Sequence, residues 1–100
     1  MDPGLPDFMI SDVVISTAGR DKGKLFYCIA VDPVYLTLAN GKDRTLEKPK
    51  RKKHKHVQKV LRAETRVAAK LQAGDKVLNS ELRRDLAYLS REMQGSDLGG

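Results

Sequence analysis

Short apolar runs separated by turn-forming residues occupy residues 12–47. Gly, Pro, Asn and Asp interrupt the runs, a pattern that predicts β-strands joined by turns. So few short strands must close or nearly close to hide their edges, which favours a small antiparallel barrel over an open sheet. The predicted strands are residues 13–15, 25–31, 34–38 and 44–46.

A tight hairpin is predicted after the third of these strands. Val34, Leu36 and Leu38 recur at every second position, which is the period of a strand with one buried face. Asn40 and Gly41 follow at once. Because both residue types tolerate positive φ, the dipeptide indicates a tight turn.

The hydrophobic period changes to that of a helix after residue 56. Apolar side chains then fall within an arc of about 120°, with basic side chains opposite, and Gly74 is placed to be the C′ residue. Glu64 lies within the apolar arc, so either it pairs with a basic group from the barrel or the helix packs less completely. The arc contains Val57, Val60, Leu61, Val67, Ala68 and Leu71, and the basic stripe contains Lys59, Arg62, Arg66 and Lys70.

A second amphipathic helix is predicted from residue 79. Asn79 and Ser80 are good N-cap residues, and Glu81 follows them in the first turn. Both helices are too short to be stable alone in water, so their apolar faces need the barrel, each other or a partner. The apolar face of the second helix consists of Leu82, Leu86, Leu89 and Met93. The predicted segments are a barrel with a basic exit over residues 8–58, a helical extension over 57–94 and a flexible tail over 95–100.

Composition limits the size of the core and the compartment. With 100 residues and 40% hydrophobic content, the chain has enough for one modest core and too little for two independent ones. Cys28 is the single cysteine, so a disulfide within the chain is excluded. Its position within the apolar run predicts a small buried strand residue. The longest apolar run, residues 25–31, is far shorter than the about 20 residues of a membrane span. Residues 1–7 are acidic and contain proline, unlike a signal peptide, so we expect a cytoplasmic protein.

The positive charge is concentrated in one tract, residues 48–56. This tract contains six Lys or Arg residues and no acid, which matches the whole formal net charge of +6. Cations at this density bind nucleic acid by displacing counterions from phosphates. A solvated charge run and a nuclear localisation signal are alternatives. Binding to an anionic lipid surface is a third reading, but the tract has no aromatic anchors beside it. Pro49 prevents the tract from continuing a strand ladder as a regular donor.

The loop at residues 19–24 joins the first predicted strand to the second. Gly19 and Gly23 permit backbone geometries that side chains block. Arg20, Lys22 and Lys24 place three cations on the same turn. A solvated loop is the alternative, whereas a phosphate-binding Walker sequence is excluded by the spacing.

Residues 16–31, with Gly19-Arg20-Asp21-Lys22-Gly23 at their centre, resemble the KOW motif. Residues 40–44 and 46–57 extend the resemblance, so that residues 8–58 are similar to a family of short bacterial KOW-domain RNA-binding proteins. That family is related to KOW-bearing large-subunit ribosomal proteins of archaea and eukaryotes. The resemblance implies an SH3-like barrel that binds RNA, with contacts from the loop at residues 19–24. Two departures are Asn40-Gly41 in place of an Asp-Gly turn and helices longer than the minimal domain, which leaves a separate protein contact open.

The candidate site combines the basic residues of these segments. His54 and His56 do not predict a metal site, because no second thiol or clustered carboxylate completes a coordination sphere. Of the aromatics Phe26, Tyr27 and Tyr35, most are expected in the core, and one could stack on an unpaired base. The predicted RNA contacts are Arg20, Lys22, Lys24, Lys42, Arg44, Lys48, Lys50, Arg51, Lys52, Lys53, His54, Lys55 and His56. The predicted structural turn residues are Gly19, Gly23, Asn40, Gly41 and Pro49.

No catalytic constellation is visible in the sequence. The carboxylates of the strand region lie at predicted strand ends or turns, and no nucleophile–base pair accompanies them. We therefore expect no enzyme, cofactor or small-molecule substrate. The expected function is binding of structured RNA, namely ribosomal RNA or an assembling ribosome with its ribosomal proteins. The alternative is a protein-interaction module that contacts RNA polymerase in the transcription elongation machinery. The carboxylates are Asp12, Asp21, Asp32, Asp43 and Glu47.

Overall fold

Five antiparallel strands form one sheet in the computed structural model, which describes residues 8–99 and the side chains of residues 8–94. The first four strands form a meander, and β5 returns to pair with β1, so the order across the sheet is β4-β3-β2-β1-β5. The strands are β1 Asp12–Ser16, β2 Leu25–Val31, β3 Tyr35–Ala39, β4 Lys50–Lys53 and β5 Val57–Arg62. A 3₁₀ turn, His54–His56, joins β4 to β5.

Each face of the sheet carries an apolar cluster, because neighbouring residues along β2 point to opposite faces. Phe26 and Cys28 enter one cluster, and Tyr27 between them enters the other. As predicted, Cys28 is buried, and burial raises the pKa of its thiol to about 11. The inner cluster consists of Val14, Phe26, Cys28, Leu36, Leu38 and Val57.

Two helices follow the strands, as the sequence predicts, and they cover the other face of the sheet. Helix α1, Arg66–Ala73, begins after Thr65, whose side chain accepts a hydrogen bond from the Ala68 N–H, and ends at Gly74 with φ 76°. Helix α2, Asn79–Gly99, starts at the predicted residue. The outer cluster joins both helices to the sheet and contains Val13, Tyr27, Ala39, Ala63, Val67, Ala68, Leu82, Leu86 and Leu89.

The predicted helix from residue 57 is wrong over its first half, which is strand β5. Lys59 and Arg62 of β5 form ion pairs with the fully buried Asp12 of β1, at 3.2 and 3.1 Å. These charges hold β5 against β1, where Val60, predicted to be buried, is exposed. Glu64 is exposed and precedes α1, so it lies on no helical face.

The predicted strand at residues 44–46 and the tight Asn40-Gly41 hairpin are also wrong. β3 ends at Ala39 and β4 begins at Lys50, so a ten-residue loop connects them. The fourth strand comes instead from the basic tract, immediately after Pro49. Within the described chain, β4 pairs only with β3, so the barrel is not closed. The lysine-rich sequence of β4 protects this edge from pairing with another chain.

Helix α2 extends almost to the end of the chain. The backbone of α2 continues to Gly99 through most of the predicted flexible tail, whose side chains and final residue lie outside the described part. The segment that argues against a signal peptide, residues 1–7, also lies outside it. None of the helices over residues 8–99 has the length and hydrophobicity of a membrane-spanning segment.

Candidate nucleic-acid interface

The loop between β1 and β2 is a compact turn with two left-handed glycines. Gly19 has φ 78° and Gly23 has φ 87°, conformations that side chains rarely adopt. The Gly23 N–H donates to the Ser16 carbonyl at 2.8 Å, and the Lys22 N–H donates to the Gly19 carbonyl at 3.2 Å. The backbone is therefore fixed internally, and the side chains of Arg20 and Lys22 are exposed.

Two ion pairs attach this loop to the one that follows β3. The buried carboxylate of Asp21 accepts a hydrogen bond from Nη2 of Arg44 at 3.1 Å. Lys24 lies 3.2 Å from Asp43 and holds the pKa of that carboxyl below its usual range. Lys24 and Arg44, both predicted RNA contacts, thus form ion pairs within the protein and join two loops.

The side chain of Asn40 organises the loop after β3. Its Oδ1 accepts hydrogen bonds from the N–H groups of Lys42 and Arg44, both at 3.0 Å. The next residue, Gly41, is buried with φ 76°, and Nη1 of Arg83 in α2 donates to its carbonyl at 2.6 Å. The loop is therefore held against α2, with Lys42 exposed.

The basic tract divides into inward and outward side chains because residues 50–53 form a strand. Lys52 pairs across from Leu36, is only 8% exposed, and donates from Nζ to the Ala18 carbonyl at 2.7 Å. Lys52 therefore attaches β4 to the β1–β2 loop, and little of its side chain is exposed for the RNA contact that the sequence predicts. Arg51 and Lys53 are exposed.

Contacts with a tyrosine ring and with a carboxylate position the side chain of Arg51. Its guanidinium lies 4.5 Å from the centre of the Tyr35 ring and 3.1 Å from Asp32. The Tyr35 and Val34 N–H groups, and then Arg51, lower the pKa of Asp32. Arg51 is still 61% exposed, so its fork of donors is oriented but accessible.

The two histidines have local partners. Nε2 of His54 lies 2.8 Å from the Asp32 carbonyl, and its ring packs edge-on to Phe8 with centroids 5.4 Å apart. The His56 carbonyl accepts a hydrogen bond from the Thr17 N–H at 2.9 Å. Across the described residues, no group of three His, Cys, Asp or Glu side chains could hold a metal ion.

Neither of the β2 aromatics is available to a base. Phe26 and Tyr27 are fully buried. The Tyr27 hydroxyl donates to the carboxylate of Asp85 in α2, and burial followed by this contact raises the pKa of Tyr27. This contact joins the sheet to α2.

Six predicted contacts remain exposed without an ion-pair partner among residues 8–94. They lie on three segments, the β1–β2 loop, the loop after β3, and β4 with its flanking residues. Three contacts hold these segments together: Lys52 to Ala18, Arg44 to Asp21, and Lys24 to Asp43. We call the six residues the basic surface; they are Arg20, Lys22, Lys42, Lys48, Lys53 and Lys55.

A further group outside the predicted RNA contacts lies on α2, where two arginines flank a tyrosine. Arg84, Tyr88 and Arg91 are spaced four and three residues apart, so they share the helix face opposite the apolar stripe. That spacing is the signal that identifies them.

A scan against protein-family models found no matching family, and a search of curated proteins found no match.

Proposed function

We propose that this chain is a non-catalytic, cytoplasmic RNA-binding protein of the KOW type that contacts structured RNA. Its target is ribosomal RNA, in the ribosome or in an assembling ribosome. The observation that carries the proposal is the basic surface, whose cations come from three segments that ion pairs and hydrogen bonds hold together. The meander of β1 to β4, with β5 returned to β1, supports an SH3-like arrangement.

The cations of the basic surface are suited to binding phosphate groups. Among residues 8–94, its ammonium and guanidinium groups form no ion pair, although Lys42 contributes to the lowered pKa of Asp43, so they are available to displace counterions from a nucleic acid. The fixed backbone of the β1–β2 loop holds the attachment points of Arg20 and Lys22 in place before binding, which reduces the entropy that binding costs. Phosphate contacts of this kind position a duplex or hairpin, while sequence is recognised elsewhere.

A salt titration tests the proposal. We expect binding of an RNA hairpin to weaken steeply with salt, because engaging about four to six phosphates gives a log–log slope of about −3 to −5. The measurement is fluorescence anisotropy with a labelled ribosomal RNA hairpin at several salt concentrations. A slope near zero contradicts the proposal.

Arg20→Ala is expected to reduce discrimination between RNAs. Arg20 is exposed between the two glycines of the β1–β2 loop, and its planar fork can form paired hydrogen bonds to an RNA base or backbone. We expect the ratio of affinities for cognate and unrelated RNA of equal length to fall. Competition titrations at one salt concentration measure the ratio, with the exposed Lys22→Ala variant as the control. An unchanged ratio contradicts a recognition role for Arg20.

A second candidate function is the protein-interaction module of the transcription elongation machinery. One observation favours it: Met9, Ile10 and Val31 are exposed and line an apolar cleft of about 400 Å³ with Phe8. Apolar surface of this kind is typical of protein contacts. Under this alternative the chain binds RNA polymerase, and the salt titration with RNA gives the slope near zero.

A further inference from the structure

A cleft of about 530 Å³ lies between α1 and α2, and none of its lining residues belongs to the basic surface. Arg84, Tyr88 and Arg91 of α2 line one side, and Thr65 of the α1 N-cap lines the other. The Tyr88 side chain is 47% exposed, unlike the buried leucines of the same helix. A large aromatic side chain thus faces an accessible cleft.

The two acids of this cleft already have partners. Asp85 accepts hydrogen bonds from the hydroxyls of Tyr27 and Thr65, the latter at 2.7 Å. Glu81 accepts from the Lys70 ammonium at 2.8 Å and from the Leu78 N–H at 2.9 Å. The Lys70 ammonium offsets part of the negative charge of Glu81, whereas Asp85 receives its two hydrogen bonds from neutral hydroxyls.

The arginines of the cleft are less engaged. Within residues 8–94, neither Arg84 nor Arg91 forms an ion pair, although Arg84 makes a small contribution to the lowered pKa of Glu81. Both are exposed, one helical turn on either side of Tyr88. An aromatic face between two available guanidiniums matches the base and the flanking phosphates of a single-stranded nucleic acid.

The loop after β3 packs against the same helix. Arg83 donates to the Gly41 carbonyl, and Arg83 and Lys42 line a smaller cleft beside this loop. Arg84 follows Arg83 directly in α2, although adjacent residues of a helix point in different directions. The helix that carries Tyr88 is therefore attached to the loop that carries Lys42 of the basic surface.

We propose that the cleft between α1 and α2 binds an unpaired nucleotide of the same RNA, with Tyr88 stacked on the base and Arg84 and Arg91 on the neighbouring phosphates. This inference rests on the proposed function and extends it from a hairpin to the single strand beside it. An acidic peptide fits less well, because its carboxylates can pair with the two arginines but offer no flat ring to stack on Tyr88.

Three RNAs separate the contributions to binding. The first is a blunt hairpin, the second carries a uridine tail of about 12 nucleotides, and the third carries the same tail with abasic sites. We expect the wild type to bind the uridine tail about fivefold more tightly than the abasic tail, the equivalent of about 1 kcal/mol of stacking. Tyr88→Ala should abolish this preference, and Tyr88→Phe should retain it.

The arginines are tested by the abasic tail. Arg84→Gln combined with Arg91→Gln should remove the affinity that the abasic tail adds to the blunt hairpin, since only phosphates remain there. If Tyr88→Ala keeps the uridine preference, or if the wild type has none, the inference is wrong while hairpin binding still supports the proposed function. Absence of binding to all three RNAs overturns both. Capture of a polyglutamate peptide in place of the tails overturns the inference alone.

Discussion

Gly41→Ala is expected to destabilise the fold by about 3 kcal/mol or more. A Cβ at Gly41 would lie 2.2 Å from the carbonyl oxygen of Asn79 and 3.0 Å from its carbonyl carbon. Both are backbone atoms at the start of α2, which cannot move aside as a side-chain tip does. The φ of 76° adds a cost of about 1–2 kcal/mol for a non-glycine residue. Moving α2 away would also break hydrogen bonds worth about 1 kcal/mol each.

Those hydrogen bonds identify what Gly41 makes possible. Arg83 donates to the Gly41 carbonyl at 2.6 Å, and the side chain of Asn79 accepts from the Leu46 N–H at 2.8 Å and donates to Glu47 at 2.8 Å. The close approach of the loop to α2 therefore depends on the missing Cβ. The side chain of Asn79, expected to cap its own helix, binds this loop instead.

Gly23→Ala is the matched control for this prediction. Gly23 has an even larger φ of 87°, but a Cβ there would meet nothing within 4 Å. Only the backbone cost applies, so we expect a loss of about 1–2 kcal/mol. Urea denaturation of the two variants measures the difference. Equal free energies of unfolding would show that contact with α2 does not decide the role of Gly41.

The elements that the sequence predicted correctly are those with local signals. The single apolar run at residues 25–31 is strand β2, Leu25–Val31, and its bounds agree. Gly74 ends α1 as predicted, because a left-handed residue after a helix depends on the residue type itself. These signals need no information about distant parts of the chain. Helix α2 also begins at the predicted Asn79, but the Asn79 side chain binds the loop after β3 and does not cap the helix.

Strand β5 was mispredicted because its residues fit two periods. Val57, Val60 and Leu61 share a helical face, yet β-branched residues also suit a strand. The decision comes from outside the segment, from Asp12, whose buried carboxylate takes ion pairs from β5. Once paired with β1, this segment has no freedom to form a helix, and α1 begins only after the Thr65 cap.

The composition of the basic tract concealed its division of roles. In a run of nearly uniform charge, no polar and apolar alternation marks the inward side of a strand. The long stem of Lys52 lies along the inner side while its ammonium reaches the Ala18 carbonyl. Burial of a lysine therefore depends on an acceptor in a distant loop, which the local sequence does not specify.

Lys53→Gln combined with Lys55→Gln is expected to lower RNA affinity strongly and reduce the magnitude of the salt slope by about 2, or about 1 for each phosphate that is no longer neutralised. Both side chains are exposed and belong to the basic surface. The decrease in affinity should be similar for cognate and unrelated RNA, because phosphate contacts carry no direct sequence information. Neither substitution touches the Lys52 side chain, so the free energy of unfolding should stay within about 0.5 kcal/mol of the wild type.

A control with the same change in net charge makes this prediction specific to the basic surface. Arg66→Gln combined with Lys76→Gln also removes two exposed cations, from the start of α1 and from the loop after it. If binding depended only on the net charge of +6, both double variants would bind RNA with the same reduced affinity. We expect the control to keep a slope within about 0.5 of the wild type, since its cations lie outside the surface that faces the RNA. Equal slopes for the two double variants, measured by anisotropy with one RNA hairpin, would contradict the assignment of the interface to β4 and its neighbouring loops.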